Sequence, residues 1–309
     1  MADEEKKIGI DLKMGWLPDY PDFRDYTVDK PDITSEKVKK AGQKESVKSM
    51  INKMGAADPA EVSIPNSKDL RQWCSPIENQ GSLGSCTANA GVGLVEYCER
   101  RAFNKHIDAS RLFLYKATRN FLHWKGDTGA FLRTTMGAMA IFGVPPEEYW
   151  PYIIANYDKE PLAFCYAFAQ AYQAIQYFRL DPPNTPKDLL LKRIKCLISA
   201  NLPSMFGFTV FSSIKQANDD GKIPFPCPGE KILGGHAIVA VGFNDEVRIK
   251  NTICGLKTEG ALLIRNSWGT GWGEKGYGWL PYEYVLKGLA VDWWALLKNE
   301  WINTGNFKV

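Results

Sequence analysis

The hydrophobic pattern changes character about halfway along the chain, and this change constrains the fold more than any other feature. In the first half, segments 86–103, 109–122 and 130–142 are predicted to be helices, the first from apolar residues at three-to-four spacing. In the second half, 236–244 and 261–266 are typical of buried strands and are followed by glycine-rich turns. This order predicts an α+β protein with two lobes and a cleft between them.

The first 62 residues differ in composition from the remainder. Residues 1–60 hold 23 of the 73 charged side chains, a higher density than elsewhere. Residues 15–26 are rich in proline and aromatics, so this stretch is predicted to be extended and to lie on a surface. Residues 35–54 are predicted to form a charged, weakly amphipathic helix. We therefore expect an N-terminal extension over 1–62.

The rest of the chain, 63–309, is expected to form one main unit that follows a linker near 55–65. The 309 residues are 45% hydrophobic, enough for one large core or two modest ones. We assign the helical lobe to about 75–165 and the β lobe to about 166–309. No internal repeat is present.

The charge pattern argues against nucleic-acid and membrane partners. The formal net charge is +3, and no block of lysine or arginine exceeds three residues. No apolar run approaches the roughly 18 residues that a membrane span needs. The N-terminus shows no signal-peptide pattern and the chain has no Asn-x-Ser/Thr sequon, so a cytoplasmic location is expected, with export by another route left open.

The cysteines are odd in number, so at least one thiol has no partner within the chain. No two are spaced as Cys-x-x-Cys and the three histidines are far apart, so no zinc site is expected. Most are interpreted as small buried hydrophobic residues. The seven are Cys74, Cys86, Cys98, Cys165, Cys196, Cys227 and Cys254.

A glycine-rich turn, Gln80-Gly-Ser-Leu-Gly-Ser-Cys86, delivers one cysteine to the start of a predicted helix. A helix N-terminus carries unpaired N–H groups and about half a positive charge, and both stabilise a thiolate. An activated cysteine in such a setting has its pKa lowered to roughly 3.5–7.5. The same N–H groups can receive an oxyanion. Taken alone, the segment still favours a buried cysteine that caps the helix.

Two other segments place polar groups at buried strands. His236 follows two glycines that leave space for a second backbone or a substrate. Asn266 precedes a glycine–tryptophan loop, and its amide oxygen can orient an imidazole, with Trp268 shielding that bond. Taken alone, the first favours a structural histidine and the second a tight aromatic loop. The chain has no phosphate-binding loop and no Gly-x-Ser-x-Gly elbow.

Together and in this order, the three segments resemble the papain and cathepsin family of cysteine peptidases. The matches are the glycine turn ending at Cys86, Gly-His-Ala-x-x-x-x-Gly from Gly235, Asn-Ser-Trp-Gly-x-x-Trp-Gly from Asn266, and Glu-Tyr-Trp-Pro-Tyr at 148–152. The resemblance covers about 63–280. It implies a papain-like fold, with a helical lobe, an antiparallel β-barrel-like lobe and the active-site cleft between them.

The resemblance implies specific catalytic roles. Cys86 attacks the scissile carbonyl as a thiolate. His236 stabilises that thiolate and then protonates the leaving amine, while Asn266 orients His236. The Gln80 side chain and the Cys86 N–H form the oxyanion hole. The implied reaction is hydrolysis of a protein or peptide through a thioester acyl-enzyme, with no metal or organic cofactor.

The resemblance also implies a set of substrate-contacting residues. The 126–129 loop pairs with the substrate backbone, Gly207 lines the subsite for the second residue before the cut, and Trp272 lines the leaving-group side. The implied substrate-binding residues are Gly129, Gly235, Ala237, Trp268 and Trp272.

Several positions depart from the family pattern. Leu83 stands where secreted members carry a disulfide cysteine, which favours a reducing compartment. Thr87 stands where an aromatic usually follows the nucleophile, and Gly235 lacks a side chain that usually shapes the cleft. An insertion at about 245–259 is expected to lengthen a hairpin.

The extension lacks the helical spacing of the family's usual propeptide and is similar to leaders of prokaryotic members. Our hypothesis is that 1–62 covers the cleft, as in a zymogen; the alternative is a leader packed on the back of the fold. Two functional alternatives also stay open. The same Cys-His-Asn site could serve an acyl transferase or isopeptidase, or the chain could be a catalytically silent peptide-binding homologue.

Overall fold

The structure, a computed structural model, describes residues 13–23, 25–28, 46–56, 62–172 and 176–307. The described α-helices are α1 Val47–Lys53, α2 Cys86–Phe103, α3 Arg111–Phe121, α4 Leu132–Phe142, α5 Ala163–Ala169, α6 Lys187–Ser199, α7 Tyr282–Leu286 and α8 Asn299–Asn303. Short 3-10 helices cover Arg71–Trp73, Glu147–Tyr149, Ile154–Asn156, Gln170–Tyr172 and Ser212–Ala217. The described strands are β1 Trp16–Leu17, β2 Ser67–Asp69, β3 Ala130–Phe131, β4 Gln176–Arg179, β5 Ser204–Phe211, β6 Ile232–Lys250, β7 Lys257–Arg265, β8 Tyr277–Pro281 and β9 Ala290–Leu297.

Helix α2 joins the two halves of the molecule. It has the bounds predicted from the sequence and ends at Asn104, which adopts a left-handed conformation with φ 54°. The glycines of its interior allow close packing: Gly91 lies against Leu114 and Met139. On another side, Gly93 lies against the side chain of Arg265, the last residue of β7. The helix therefore contacts helical and β elements at once.

The other two predicted helices of the first half are also present. The Ser110 hydroxyl caps α3 by accepting from the Phe113 N–H at 3.1 Å. Helix α4 ends, as predicted, at Gly143, whose φ is 76° and whose N–H bonds the Met139 carbonyl. It begins two residues later than predicted, because residues 130–131 form a short strand that pairs with β1. Of the helix predicted over 35–54, α1 is described, while residues 29–45 lie outside the described part of the chain.

An antiparallel sheet forms the β lobe. Its strand order is β4-β9-β5-β6-β7-β8, and β2 pairs with β6 away from this path. Because β4 and β8 stand at opposite ends of the path, the described sheet is open and not a closed barrel. The fold class is therefore α+β as expected. The β6–β7 hairpin extends to the pair Lys250 and Lys257, as the insertion near 245–259 predicted.

The register of the sheet fixes the relative positions of the functional residues. His236 lies on β6 opposite Phe208 of β5, and Asn266 directly follows β7, the next strand of the sheet. Helix α2 packs against β6. The first residue of α2, the start of the apolar part of β6 and the end of β7 consequently meet at one place.

Candidate active site

Cys86 is the first residue of α2, and its thiol is fully buried. Burial raises the pKa of this thiol to about 11. Nearby main-chain N–H groups oppose this shift by lowering the pKa; they belong to Ala237, Gly15, Thr87 and Cys86 itself. Two of these donors belong to the helix N-terminus, as the glycine turn predicted, but burial outweighs them, so the expected lowering of the thiol pKa is wrong for the site as it stands. A third belongs to the residue after His236, so the sulfur lies beside the strand that carries the imidazole.

The His236 ring is oriented by two contacts. Its Nε2 lies 2.8 Å from Asn266 Oδ1, and Trp268 stacks on the ring at a centroid distance of 4.5 Å and an interplanar angle of 22°. Asn266 Oδ1 also accepts from the Ser267 N–H at 2.8 Å, which identifies it as an acceptor, so Nε2 carries the proton. In the neutral ring, Nδ1 is then the basic nitrogen. Nδ1 is buried without a hydrogen-bond partner among the described residues.

Burial governs the protonation of this imidazole. It lowers the pKa of His236 to about 4, and the hydrogen bond to Asn266 opposes this by raising it. At neutral pH the site as described therefore holds a neutral imidazole beside a neutral thiol. An ion pair between them requires the site to become more polar or wetter.

The Gln80 side chain is held at both ends. Its Oε1 accepts from the Ser267 hydroxyl at 2.6 Å, and its Nε2 donates to the Leu83 carbonyl at 2.9 Å and to the Lys13 carbonyl at 3.1 Å. Sequence reasoning missed Ser267, although it stands inside the Asn-Ser-Trp motif. Ser267 directly follows Asn266, the residue that orients His236. Its hydroxyl therefore links the Asn266 loop to the Gln80 amide, which faces the Lys13 carbonyl oxygen.

The Glu-Tyr-Trp-Pro-Tyr motif also reaches this site. The Tyr152 hydroxyl donates to the Gln80 main-chain carbonyl at 2.9 Å and lies 2.6 Å from Ser85 Oγ. The guanidinium of Arg111 lies over the Tyr152 ring at 4.1 Å. The motif therefore braces the turn that presents Cys86.

Residues 13–28, which we call the leader segment, lie along the same site; Arg24 within them is not described. Strand β1 pairs in parallel with β3, and the Ala130 N–H donates to the Gly15 carbonyl at 2.8 Å. The Gly15 main chain packs closely on Gly84 and Gly129: a Cβ on Gly15 would overlap the main chain of Gly84, and a Cβ on Gly129 would overlap the main chain of Gly15. The Met14 side chain lies against Gly234.

The Trp16 side chain fills a pocket on strands β5, β6 and β9. Its ring covers Gly207 and Gly235, where a Cβ would overlap the indole, and its Nε1 donates to Asp292 Oδ2 at 3.2 Å. Burial raises the pKa of Asp292 to about 6, against the charge of Arg179 and the indole hydrogen bonds, which lower it. Sequence reasoning missed Asp292. The available signal was a single carboxylate inside the otherwise apolar strand β9.

The remaining residues implied by the resemblance have these positions. Ala237 is buried and pairs with Gly207 across β5 and β6. Trp268 covers His236 as described above. Trp272 is fully buried beneath Trp268, with the two rings perpendicular and 5.4 Å apart, so Trp268 separates it from the imidazole.

Within the described part of the chain, no group of histidine, cysteine and acidic residues is arranged to hold a metal ion. None of the helices described is both long and apolar enough to cross a membrane.

Comparison with known proteins identifies the family. The model of the papain family cysteine proteases matches residues 64–286. A peptidase C1-like protein of Acanthamoeba polyphaga mimivirus is 33% identical over 233 residues, which cover 74% of this chain and 71% of that protein. Papain of Carica papaya is 28% identical over 225 residues, covering 70% of this chain and 55% of papain.

A solved structure agrees with these matches. Xylellain, a cysteine protease from Xylella fastidiosa, is 29% identical and superposes with a TM-score of 0.68 over 92% of this chain and 95% of xylellain. The family match spans the segments that carry Cys86, His236 and Asn266. The chain therefore belongs to the papain family of cysteine proteases and is a hydrolase of the cysteine-peptidase type.

Proposed function

We propose that the chain is an endopeptidase that cleaves peptide bonds through a thioester acyl-enzyme, and that the leader segment holds it inactive. The observation that carries this proposal is the placement of the Cys86 thiol near the N–H of Ala237, the residue after the Asn266-oriented His236, while the Gln80 amide donates to the main-chain carbonyl of Lys13. A peptide carbonyl thus already lies against the Gln80 donor.

The chemistry follows from the protonation states. His236 Nδ1, the basic nitrogen, takes the proton of the Cys86 thiol, and the thiolate attacks the substrate carbonyl. The oxyanion is stabilised by the Gln80 amide and the Cys86 N–H, where a single donor is typically worth about 2.7–4 kcal/mol. His236 then returns the proton to the leaving amine. Water hydrolyses the thioester with His236 as the base.

The leader segment opposes the first of these steps. The Gly15 N–H lies close enough to the thiol to lower its pKa, and the Gly15 main chain packs on Gly84, so the leader segment covers Cys86 against substrate. The buried site also favours the neutral thiol and neutral imidazole over their ion pair. Removing the leader segment would admit water, which stabilises the charged forms.

The chain direction of the leader segment disfavours its cleavage as a substrate. In a substrate, the carbonyl that faces Gln80 is that of the scissile bond, and the residue in the Gly207 pocket comes before it in the chain. In the leader segment, Trp16 occupies that pocket and follows Lys13, whose carbonyl faces Gln80. The segment therefore runs in the direction opposite to a substrate, and attack on Lys13 would place the departing amine on the wrong side of the cleft.

The proposed reaction is tested with fluorogenic peptides and mass spectrometry of the products. Both assays use the Trp16→Ala chain, in which cleavage should yield free carboxylates and be lost when Cys86→Ala or His236→Ala is added, and in which iodoacetamide should label Cys86. With an added amine nucleophile, transfer products in excess of hydrolysis would instead identify an acyl transferase. Probe labelling without cleavage of any peptide would leave a silent binder.

The proposed inhibition is tested within the full-length chain. Trp16→Ala removes the side chain that fills the Gly207 pocket, and Tyr20→Ala is the matched control, because Tyr20 lies in the same segment and is 90% exposed. We expect kcat/KM toward a small peptide to rise at least tenfold in Trp16→Ala and to stay at the unsubstituted value in Tyr20→Ala, since a buried Trp→Ala change costs about 3–5 kcal/mol. Equal values for both variants refute inhibition by the leader segment.

A further inference from the structure

Two arginines of the main unit surround a carboxylate of the leader segment. Arg133, on α4, donates through Nε and Nη2 to the two oxygens of Asp25, each at 2.8 Å. Arg179, at the end of β4, lies 3.8 Å from the same carboxylate through Nη1. Both guanidiniums lie over the Trp294 ring, at 5.7 and 5.3 Å from its centroid. The two guanidiniums therefore form a carboxylate-binding site, and the Trp294 ring provides its flat apolar side.

The two arginines differ in what else binds them. Arg179 pairs with Asp181 at 2.9 Å and with Asp292 at 3.2 Å, both in the main unit. Among the described residues, the hydrogen bonds and ion pairs of Arg133 go to the leader segment: to Asp25, to the Asp19 carboxylate and to the Tyr20 carbonyl. When the leader segment leaves, Arg179 keeps two carboxylates, whereas Arg133 loses the anions that now neutralise it.

The position of Arg133 relates it to the substrate path. The leader segment runs from Gln80 through the Trp16 pocket to Arg133, and Asp19 follows Trp16 by three residues. A substrate runs the opposite way, so residues on the N-terminal side of its scissile bond reach Arg133. An uncompensated guanidinium on this side attracts a substrate carboxylate more strongly than a neutral amide.

We infer that Arg133, flanked by Arg179, is a carboxylate-binding subsite, and that the peptidase prefers peptides with an Asp or Glu a few residues on the N-terminal side of the cleaved bond. This inference rests on the proposed function and adds the class of substrate. It also gives the leader segment a second anchor, because its Asp25 and Asp19 occupy the subsite while Trp16 occupies the neighbouring pocket.

The test uses the full-length chain with both anchors removed, Trp16→Ala with Asp19→Asn and Asp25→Asn. The substrates are otherwise identical peptides in which a single Glu, or a single Gln, is moved through the six positions before the scissile bond. At one position we expect kcat/KM for the Glu peptide to exceed that for the Gln peptide roughly tenfold, the value of one charge-assisted hydrogen bond. Added salt should reduce that ratio, because the charges interact through water.

Two further variants in the same background locate the effect. Arg133→Gln should bring the Glu-to-Gln ratio close to one, and Arg133→Glu should favour a Lys peptide at that position. Lys192→Gln, which changes an exposed cation on α6, is the matched control and should keep the ratio.

The outcomes separate this inference from the proposed function. Equal cleavage of all Glu and Gln peptides, or a ratio unaffected by Arg133→Gln and by salt, overturns the subsite and leaves the peptidase assignment standing. Cleavage of no peptide by the anchor-free chain overturns the proposed function and the subsite with it.

Discussion

The side-chain amide of Gln80 donates a hydrogen bond to the main-chain carbonyl oxygen of Lys13 at 3.1 Å. The Ser267 hydroxyl holds the other end of the same side chain at 2.6 Å, so the donor is oriented before any substrate arrives. A pre-oriented donor needs no reorganisation when negative charge develops on a carbonyl oxygen.

Gln80→Ala should therefore lower kcat roughly a hundredfold to a thousandfold, the usual effect of losing one oxyanion donor. We would measure it in the Trp16→Ala background, in which the side chain proposed to block the Gly207 pocket is removed. Ser82→Ala is the matched control, because Ser82 is an exposed residue of the same turn. A fall in kcat shared by both variants would point to damage of the turn instead of loss of a donor.

Asn266→Ala should lower kcat in the same background by about tenfold or more, with a smaller effect on KM. The substitution leaves the buried Nε2–H of His236 without its acceptor, and an unsatisfied buried polar group costs about 1–3 kcal/mol. Asn66→Ala, at an exposed position before β2, serves as the control. A kcat equal to that of the control would show that Trp268 alone orients the ring.

The reactivity of Cys86 should depend on pH in a way that reports the covered site. With a pKa of about 11, only about one thiol in ten thousand is ionised at pH 7. The thiolate is the reactive form, so the rate of alkylation by iodoacetamide in the full-length chain should rise about tenfold per pH unit between pH 7 and 10. The Trp16→Ala variant should react much faster at pH 7 and depend less on pH. A pH-independent rate in the unsubstituted chain would contradict this.

A methyl group at position 207 should open the cleft without any change in the leader segment. Gly207→Ala places a Cβ inside the Trp16 ring, so the ring and the methyl group cannot occupy the pocket together. We expect higher kcat/KM in the full-length chain, measured with a peptide that carries alanine in this pocket. Gly137→Ala is the control, since the nearest neighbour of its Cβ is the Tyr177 hydroxyl at 3.9 Å. Equal activity of the two variants would mean that Trp16 does not limit access.

The β6–β7 hairpin is joined to the preceding loop by a disulfide between Cys227 and Cys254, 27 residues apart. Denatured but unreduced protein should therefore show five reactive thiols, and reduced protein seven. Closing a loop of this length stabilises the native state by roughly 3 kcal/mol, so Cys227→Ala should lower Tm measurably. Seven thiols without reductant would show that the protein was made in a reducing compartment, the environment expected from Leu83.

The features predictable from the sequence were those that depend on local pattern. Helix 86–103 was predicted with its bounds because its periodicity and the preceding glycine turn are both local. The end of α4 was predicted because Gly143 supplies the φ of 76° that stops the helix. The lengthened β6–β7 hairpin was predicted from the position of an insertion.

What escaped prediction depends on contacts between distant residues. Strand β3 has two residues and exists through its pairing with Trp16 and Leu17, more than a hundred positions earlier. The role of Asp292 requires Trp16, 276 positions away. Which two of seven cysteines pair depends on where the hairpin tip lies. Local spacing carries none of this information.

The hydrogen bond between Ser267 and Gln80 joins residues 187 positions apart. A ribosome-bound chain that has not yet reached Ser267 consequently lacks an aimed oxyanion donor, and without Asn266 it lacks an oriented imidazole as well. The leader segment is translated before every residue that it contacts. Under the proposed inhibition, synthesis from the N-terminus would supply the covering segment first and the hydrolytic machinery last, and would so protect the newborn polypeptide and its neighbours from premature digestion.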